Sequence, residues 1–255
     1  MNKTNAQIKA SARQNLLGHY KPVIAALIIT ELITLILNIP FDSMAQQGIA
    51  FGVPSRIVLG FLGSLVISLI ATLLQAGVSH IHLQIARGQD VRYKDMFIVC
   101  RNRPDRYLGY GLLTILLALI CILPGYLCII PSLTGSYTMA AITLTLLGCV
   151  LMLIGCIVMI IVLLSWSMTI FLLLDDSDIR VMDAIRRSRQ MMRGKKGRFF
   201  GLGLSFIGWI LFSILSFGIA LLWIIPYLSQ SQVCFYLELL PESAEQTADD
   251  GSANP

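Results

Sequence analysis

Charge is what this sequence has least of. Asp, Glu, Lys and Arg make up 13% of its 255 residues, about half the share in an ordinary soluble chain. None of the four occurs in Ile57–Ala86, Tyr107–Leu174 or Phe199–Leu237, and Pro22–Phe41 holds Glu31 alone. Runs of that length exceed what a soluble core absorbs. A membrane crossing needs roughly 20 mostly apolar residues, and lipid admits only helices or closed barrels, because no water is there to pair with the backbone. Strict apolar/polar alternation is missing too, which excludes barrel strands. The fold class read from these absences is all-α, a polytopic transmembrane helical bundle.

Other absences narrow the chemistry. There is no H-E-x-x-H, no G-x-S-x-G and no Walker loop. The sequence therefore predicts no enzyme, no cofactor and no metal centre. No small-x-small cleavage site follows the first apolar run, which is long enough to span and reads as a retained helix. Cys121, Cys128, Cys149, Cys156 and Cys234 sit in apolar stretches, with Cys100 outside them, a pattern that argues against a disulfide framework.

What is present is a bundle with a strong charge asymmetry. Spans are expected at residues 23–39, 57–81, 107–123, 139–164, 199–216 and 219–238, with Ser216–Phe217–Gly218 as the turn between the last two. Lys3, Lys9, Arg13 and Lys21 precede the first span, and Arg87, Arg92, Lys94, Arg101, Arg103 and Arg106 follow the second. Arg180, Arg186, Arg187, Arg189, Arg193, Lys195, Lys196 and Arg198 lie between the fourth and fifth, which leaves Arg56 as the one base on the other side. Basic loops stay in the cytoplasm, so six spans with both termini cytoplasmic follow. The positive net charge then means topology and attraction to anionic lipid headgroups. Nucleic acid is not an expected partner, because no aromatic-interleaved basic groove accompanies the charge.

Short helices are expected at residues 4–17, 90–100 and 179–193. In the first, Thr4 or Asn5 can cap, Ile8, Ala12 and Leu16 share a face, and Gly18 is placed to stop it. The third carries Asp178 as a cap, an apolar side of Ile179, Met182, Ile185 and Met192, and an opposite face of Arg180, Arg186, Arg187 and Arg193, followed by Lys195 and Lys196. That pattern reads as a helix lying on a membrane surface, or as a loop helix packed on the bundle. Residues 241–255 are acidic and aromatic-free, and are expected to be disordered.

Glu31 is the candidate functional residue, because a carboxylate at mid-span is expensive and must find donors, a proton or water. Thr34 and Asn38 continue its face. The second span carries Ser64, Ser68, Thr72, Gln75, Ser79 and His82 at helical spacing, and Ser229, Gln230, Ser231 and Gln232 follow Pro226 in the last. Such a seam is either an ion or polar-substrate path or hydrogen-bonding glue between helices. Cys149, Met152, Cys156 and Met159 share a face of the fourth span beside Gly148 and Gly155, which is the composition of close helix packing more than of a copper site. Asp175, Asp176 and Asp178 can hold a cation, or pair with neighbouring arginines and cap the next helix.

The second half of the chain resembles a known family. Ser165-Trp166-Ser167-Met168, Leu172-Leu173-Leu174-Asp175-Asp176, Leu204-Ser205-Phe206-Ile207-Gly208-Trp209, Gly218-Ile219, Leu222-Trp223, Pro226-Tyr227 and Phe235-Tyr236 occur in order. This is similar to the bacterial integral membrane proteins grouped as domain of unknown function 975. The resemblance implies a six-span protein of a bacterial plasma membrane with no assigned activity, and it carries no catalytic residues over. Two functions fit: a non-enzymatic scaffold or accessory protein of the cell envelope, with a membrane-protein partner or a second copy, or a small transporter or channel built on the Glu31 seam.

Overall fold

A computed structural model describes residues 4–133 and 138–252. The chain is a succession of helices, and no strand occurs among the described residues. They are α1 (Asn5–Leu16), α2 (Tyr20–Ala50), α3 (Pro54–Ala86), α4 (Ile98–Arg101), α5 (Pro104–Leu133), α6 (Met139–Trp166), α7 (Thr169–Asp175), α8 (Val181–Met191), α9 (Lys196–Leu204), α10 (Ile207–Leu215) and α11 (Leu221–Ser252). A single 3-10 turn, Tyr93–Phe97, precedes α4.

Among the described residues, five stretches are long and apolar enough to cross a membrane: Tyr20–Ile49, Pro54–Ala86, Pro104–Ile130, Met139–Asp175 and Lys196–Leu215. α2 lies along α3 and α5 along α6, as two antiparallel hairpins. The first helix does not stop before Pro40, where the expected span ended, but continues to Ala50. Proline removes one backbone donor, and apolar surroundings tolerate it inside a helix. Here the Ser43 hydroxyl bonds to the Pro40 carbonyl. Glu31 still sits midway between Lys21 and Asp42, the charged residues that bracket the apolar part of α2.

The α5–α6 hairpin closes on glycine. A Cβ on Gly148 would lie 2.8 Å from the Gly125 carbonyl oxygen, and one on Gly155 would run into the carbonyl of Cys121. The helices thus meet backbone to backbone, which only small residues allow. The expected cysteine–methionine face divides: Met152 abuts Gly125 in the hairpin contact, whereas Cys149 and Cys156 are exposed.

The protein has two zones. In one, large apolar side chains face outward, among them Leu35, Ile36, Phe61, Leu62, Ile120, Leu146 and Leu153, each about half exposed or more. In the other a buried core forms. Ile8, Ala12 and Leu16 of α1, Leu83 of α3, Phe171 and Leu173 of α7, Ala184 and Met191 of α8, and Phe235 and Tyr236 of α11 are all buried there. Polar ties run through this second zone. Arg87 pairs with Asp175 at 2.6 Å, Arg198 with Glu238 at 2.5 Å, and Arg103 with Asp178 at 3.3 Å. Arg56 lies at the far end of the α2–α3 hairpin, bonded to Gln47.

α1 and α8 occur where short helices are expected, with Ile8, Ala12, Leu16, Ala184, Ile185 and Met191 buried, although Met182, expected on the apolar side of α8, is exposed. The helix expected at 90–100 is instead the 3-10 turn Tyr93–Phe97 followed by the one-turn α4. α1 begins with a capping box between Thr4 and Gln7 and is followed by Gly18 at φ +89°. α8 begins at Val181 after Arg180, so Asp178 is not its cap; Asp176 instead accepts from the Asp178 and Ile179 amides. The Ser188 hydroxyl accepts from the Met168 amide at 3.2 Å and donates to the Ser165 carbonyl at 2.9 Å. It thereby satisfies the backbone groups released where α6 breaks into α7. α11 runs through the acidic segment expected to be disordered, as far as Ser252; Glu, Ala and Gln there are good helix formers.

α9 and α10 lead out to a turn, and α11 leads back from it. Phe206 stacks edge-on against Tyr227 at 5.0 Å, Tyr227 bonds to the Lys9 carbonyl, and Lys9 reaches Ser205. Beyond that level the chain makes α10, turns at Phe217 (φ +50°) and Gly218 (φ +84°), and comes back along α11. The tip is bare and apolar, with Leu215 80%, Phe217 97% and Ile219 61% exposed.

Candidate functional site

Glu31 opens onto a cleft of about 500 Å³, within the size range of small-molecule sites. α2 contributes Thr30, Glu31 and Thr34, and α3 contributes Ser68, Thr72, Gln75 and Ser79. The remaining wall comes from Tyr110 of α5, Ser167 at the α6–α7 break, Ile170 and Phe171 of α7, and Gln232 of α11. The seam expected from sequence is therefore divided. Glu31, Ser68, Thr72 and Gln75 come together here, whereas Asn38, Ser64, Ser229 and Gln230 do not line the cleft. Gln230 turns into the core, where its Oε1 lies 2.7 Å from His82 Nδ1.

The hydrogen bonds say what the hydroxyls are doing. Thr30 bonds to the Ala26 carbonyl, Thr34 to Thr30, Ser68 to Leu65, Thr72 to Ser68 and Ser79 to Gln75. Asn38 and Ser64 likewise bond back to Thr34 and Gly60. Each donor is satisfied within its own helix, so these bonds do not tie helix to helix. Glue would need bonds across the interface; what results is a polar wall with acceptor oxygens still available. The Glu31 side chain is exposed and has no hydrogen bond or ion pair among the described residues. No Lys or Arg lines the cleft.

Tyr110, Ser167, Phe171 and Gln232 complete the cleft. Gln232 was visible in the polar run after Pro226, but nothing local marks the other three. Tyr110 comes from α5, and Ser167 and Phe171 arrive through the α6–α7 break, which has no Gly or Pro and depends on Ser188 some twenty residues downstream.

The expected surface-binding set also divides. Arg186, Arg193 and Lys196 border a second cavity, together with Arg189, while Arg180, Arg187 and Lys195 lie outside it. The aspartates serve as ion-pair and capping groups. Among the described residues no cluster of three or more His, Cys, Asp or Glu is placed to hold a metal.

The family model for the protein of unknown function DUF975 matches residues 1–243. The chain belongs to the DUF975 family. Comparison with curated proteins and with solved structures returned no match. No activity is attached to the family, so the geometry of this DUF975 protein is the basis for its function.

Proposed function

We propose that this DUF975 protein is a small multi-pass transporter of a bacterial plasma membrane, with the Glu31 cleft as the site for a small organic cation. One observation carries the reading: an unpaired carboxylate, midway between Lys21 and Asp42 in the otherwise uncharged part of a helix fit to cross a membrane, faces a polar cleft with no basic residue in its lining. A lone negative charge in a low-dielectric setting attracts cations. Tyr110 and Phe171 add aromatic faces that suit an ammonium group, and the hydroxyls and amides suit its polar neighbours. The scaffold reading needs a seam whose side chains bond to one another across helices; His82 and Gln230 do so in the core, but among the described residues the side chains lining the cleft bond only within their own helices.

The test is thermal unfolding of the purified protein in neutral detergent, with sodium, potassium, choline or spermidine added. An organic cation is expected to raise the melting temperature of the wild type. Glu31→Gln should weaken that cation's binding by about tenfold or more, since hydrogen bonds to charged groups contribute roughly 1.5–3 kcal/mol. Without cation, Glu31→Gln and Glu31→Leu should melt like the wild type, because the carboxylate has no partner to lose. If no cation shifts the wild type, or Glu31→Gln responds equally, the scaffold reading takes over.

For topology we propose that both termini are cytoplasmic and that four helices, α2, α3, α5 and α6, cross fully. α10 and the start of α11 then form a re-entrant hairpin in place of the fifth and sixth crossings expected from sequence. From Phe206 to the turn, and from the turn to Tyr227, each arm has about ten residues, which is about 15 Å of helix against a hydrocarbon core of about 30 Å. A bare phenylalanine tip suits lipid better than an aqueous loop. In a cysteine-free background, Gln46→Cys and Met139→Cys should react with an impermeant thiol reagent added outside cells, and Asn15→Cys should not. Phe217→Cys should stay unlabelled from either side; labelling from outside restores the six-crossing count.

A further inference from the structure

The second cavity, about 740 Å³, sits where α5, α6, α8 and α9 meet. Its upper rim is basic: Arg186, Arg189 and Arg193 on and just after α8, and Lys196 at the start of α9. Arg186 has Asp183 at 3.7 Å. Arg189, Arg193 and Lys196 have no carboxylate partner among the described residues. The floor is Trp166, only 8% exposed, with the Arg189 guanidinium 5.7 Å from its ring. The lower wall is apolar, from Leu113 of α5 and Val162 of α6.

Below that wall the two helices continue the same apolar faces away from the basic rim. Leu116 and Ile120 follow Leu113 at three and seven residues, and Val158 and Ile154 precede Val162 at four and eight, so each pair stays on one face. They are 51%, 65%, 45% and 53% exposed. An excess of positive charge above an outward apolar track is the complement of an amphiphile with an anionic head and hydrocarbon tails. Free inorganic phosphate would use only the rim. Trp at the junction is where an indole is favoured at a membrane–water boundary.

We propose that this cavity is a binding site for one anionic glycerophospholipid, its phosphate held by Arg189, Arg193 and Lys196 and its acyl chains lying along Leu113–Ile120 and Ile154–Val162. The site is separate from the Glu31 cleft and does not depend on its function. It makes α8 more than a generally basic surface, because the apolar side of that helix is committed to the protein core through Ala184, Ile185, Ser188 and Met191. Its arginines are thereby held in a fixed place.

The experiment uses full-length protein, delipidated in neutral detergent, with lipid binding followed by native mass spectrometry and thermal unfolding. Phosphatidylglycerol is expected to bind with one saturating copy and raise the melting temperature, and phosphatidylcholine is not. Arg189→Gln/Arg193→Gln should weaken phosphatidylglycerol roughly thirtyfold, the scale set by removing two basic residues near an anionic headgroup. Arg92→Gln/Lys94→Gln, elsewhere on the basic end, should leave it unchanged. Equal binding of the two lipids to the wild type overturns the proposal without reference to any variant. So does an undiminished affinity in Arg189→Gln/Arg193→Gln, or stabilisation by inorganic phosphate that matches phosphatidylglycerol at equal concentration, which would make this an anion site only.

Discussion

Gly155→Leu should prevent α6 from seating against α5 and abolish a stable, monodisperse protein in detergent. Overpacking a closed core costs about 1–3 kcal/mol where neighbouring side chains can move. Here the obstacle is the backbone carbonyl of Cys121, which cannot rotate away, so the cost belongs at or above the top of that range. Gly148, one contact along, faces the Gly125 carbonyl at 2.8 Å, so the helices cannot slide to relieve the clash without creating another. Gly155→Ala should be milder in the same direction. Gly208→Leu in α10, where nothing lies within 4 Å of the added Cβ, should be nearly silent. Fluorescence-detected size exclusion and melting temperature distinguish the three. A Gly155→Leu protein that melts like the wild type would overturn the backbone contact between α5 and α6.

Local rules carried the local structure. A cap at Thr4 or Asn5, the Ile8–Ala12–Leu16 face and the stop at Gly18 were legible because a cap, a helical period and a left-handed residue are each set within a few positions. The turn at Phe217–Gly218 belongs to the same class. Failures arose wherever a distant partner decides. The apolar side of α8 says that something covers it, and only the fold says that this is α7, with Phe171 in the same buried core as Ala184 and Met191. The stripe on α3 identifies Ser68, Thr72 and Gln75 as polar residues sharing a face. Whether that face is glued or open depends on where the second hairpin stands. Nothing local says that α2 continues past Pro40, beyond the span expected at 23–39: proline tends to end a helix where water competes for the freed carbonyl, and apolar surroundings relax that tendency. Hydropathy also counts Lys196–Leu215 as one long apolar stretch, whereas α9 and α10 meet at a break held by Lys9 and Tyr227.

Asp175→Ala should be the most destabilising polar substitution at the basic end. Asp175 accepts from Tyr236 at 2.7 Å through one oxygen and pairs with Arg87 at 2.6 Å through the other, so a single carboxylate joins the ends of α3 and α7 to the middle of α11. The two bonds differ in weight. The Arg87 side chain is 44% exposed, and water replaces its partner at a cost of about 1 kcal/mol or less. Tyr236 is 0% exposed, and its hydroxyl would be left without an acceptor, at about 1–3 kcal/mol. Removing that hydroxyl removes the penalty, so Asp175→Ala combined with Tyr236→Phe should be less destabilised than the sum of the two single changes, with a coupling of about 1 kcal/mol. Strict additivity of the melting shifts would mean that the pair does not interact. The effect should also reach the cleft: the Tyr236 ring lies 5.2 Å from that of Phe171, which forms part of the cleft wall. Releasing Tyr236 therefore frees Phe171, and Asp175→Ala should weaken organic-cation binding at Glu31 as well as lower stability, whereas Arg87→Gln should lower stability slightly and leave binding intact.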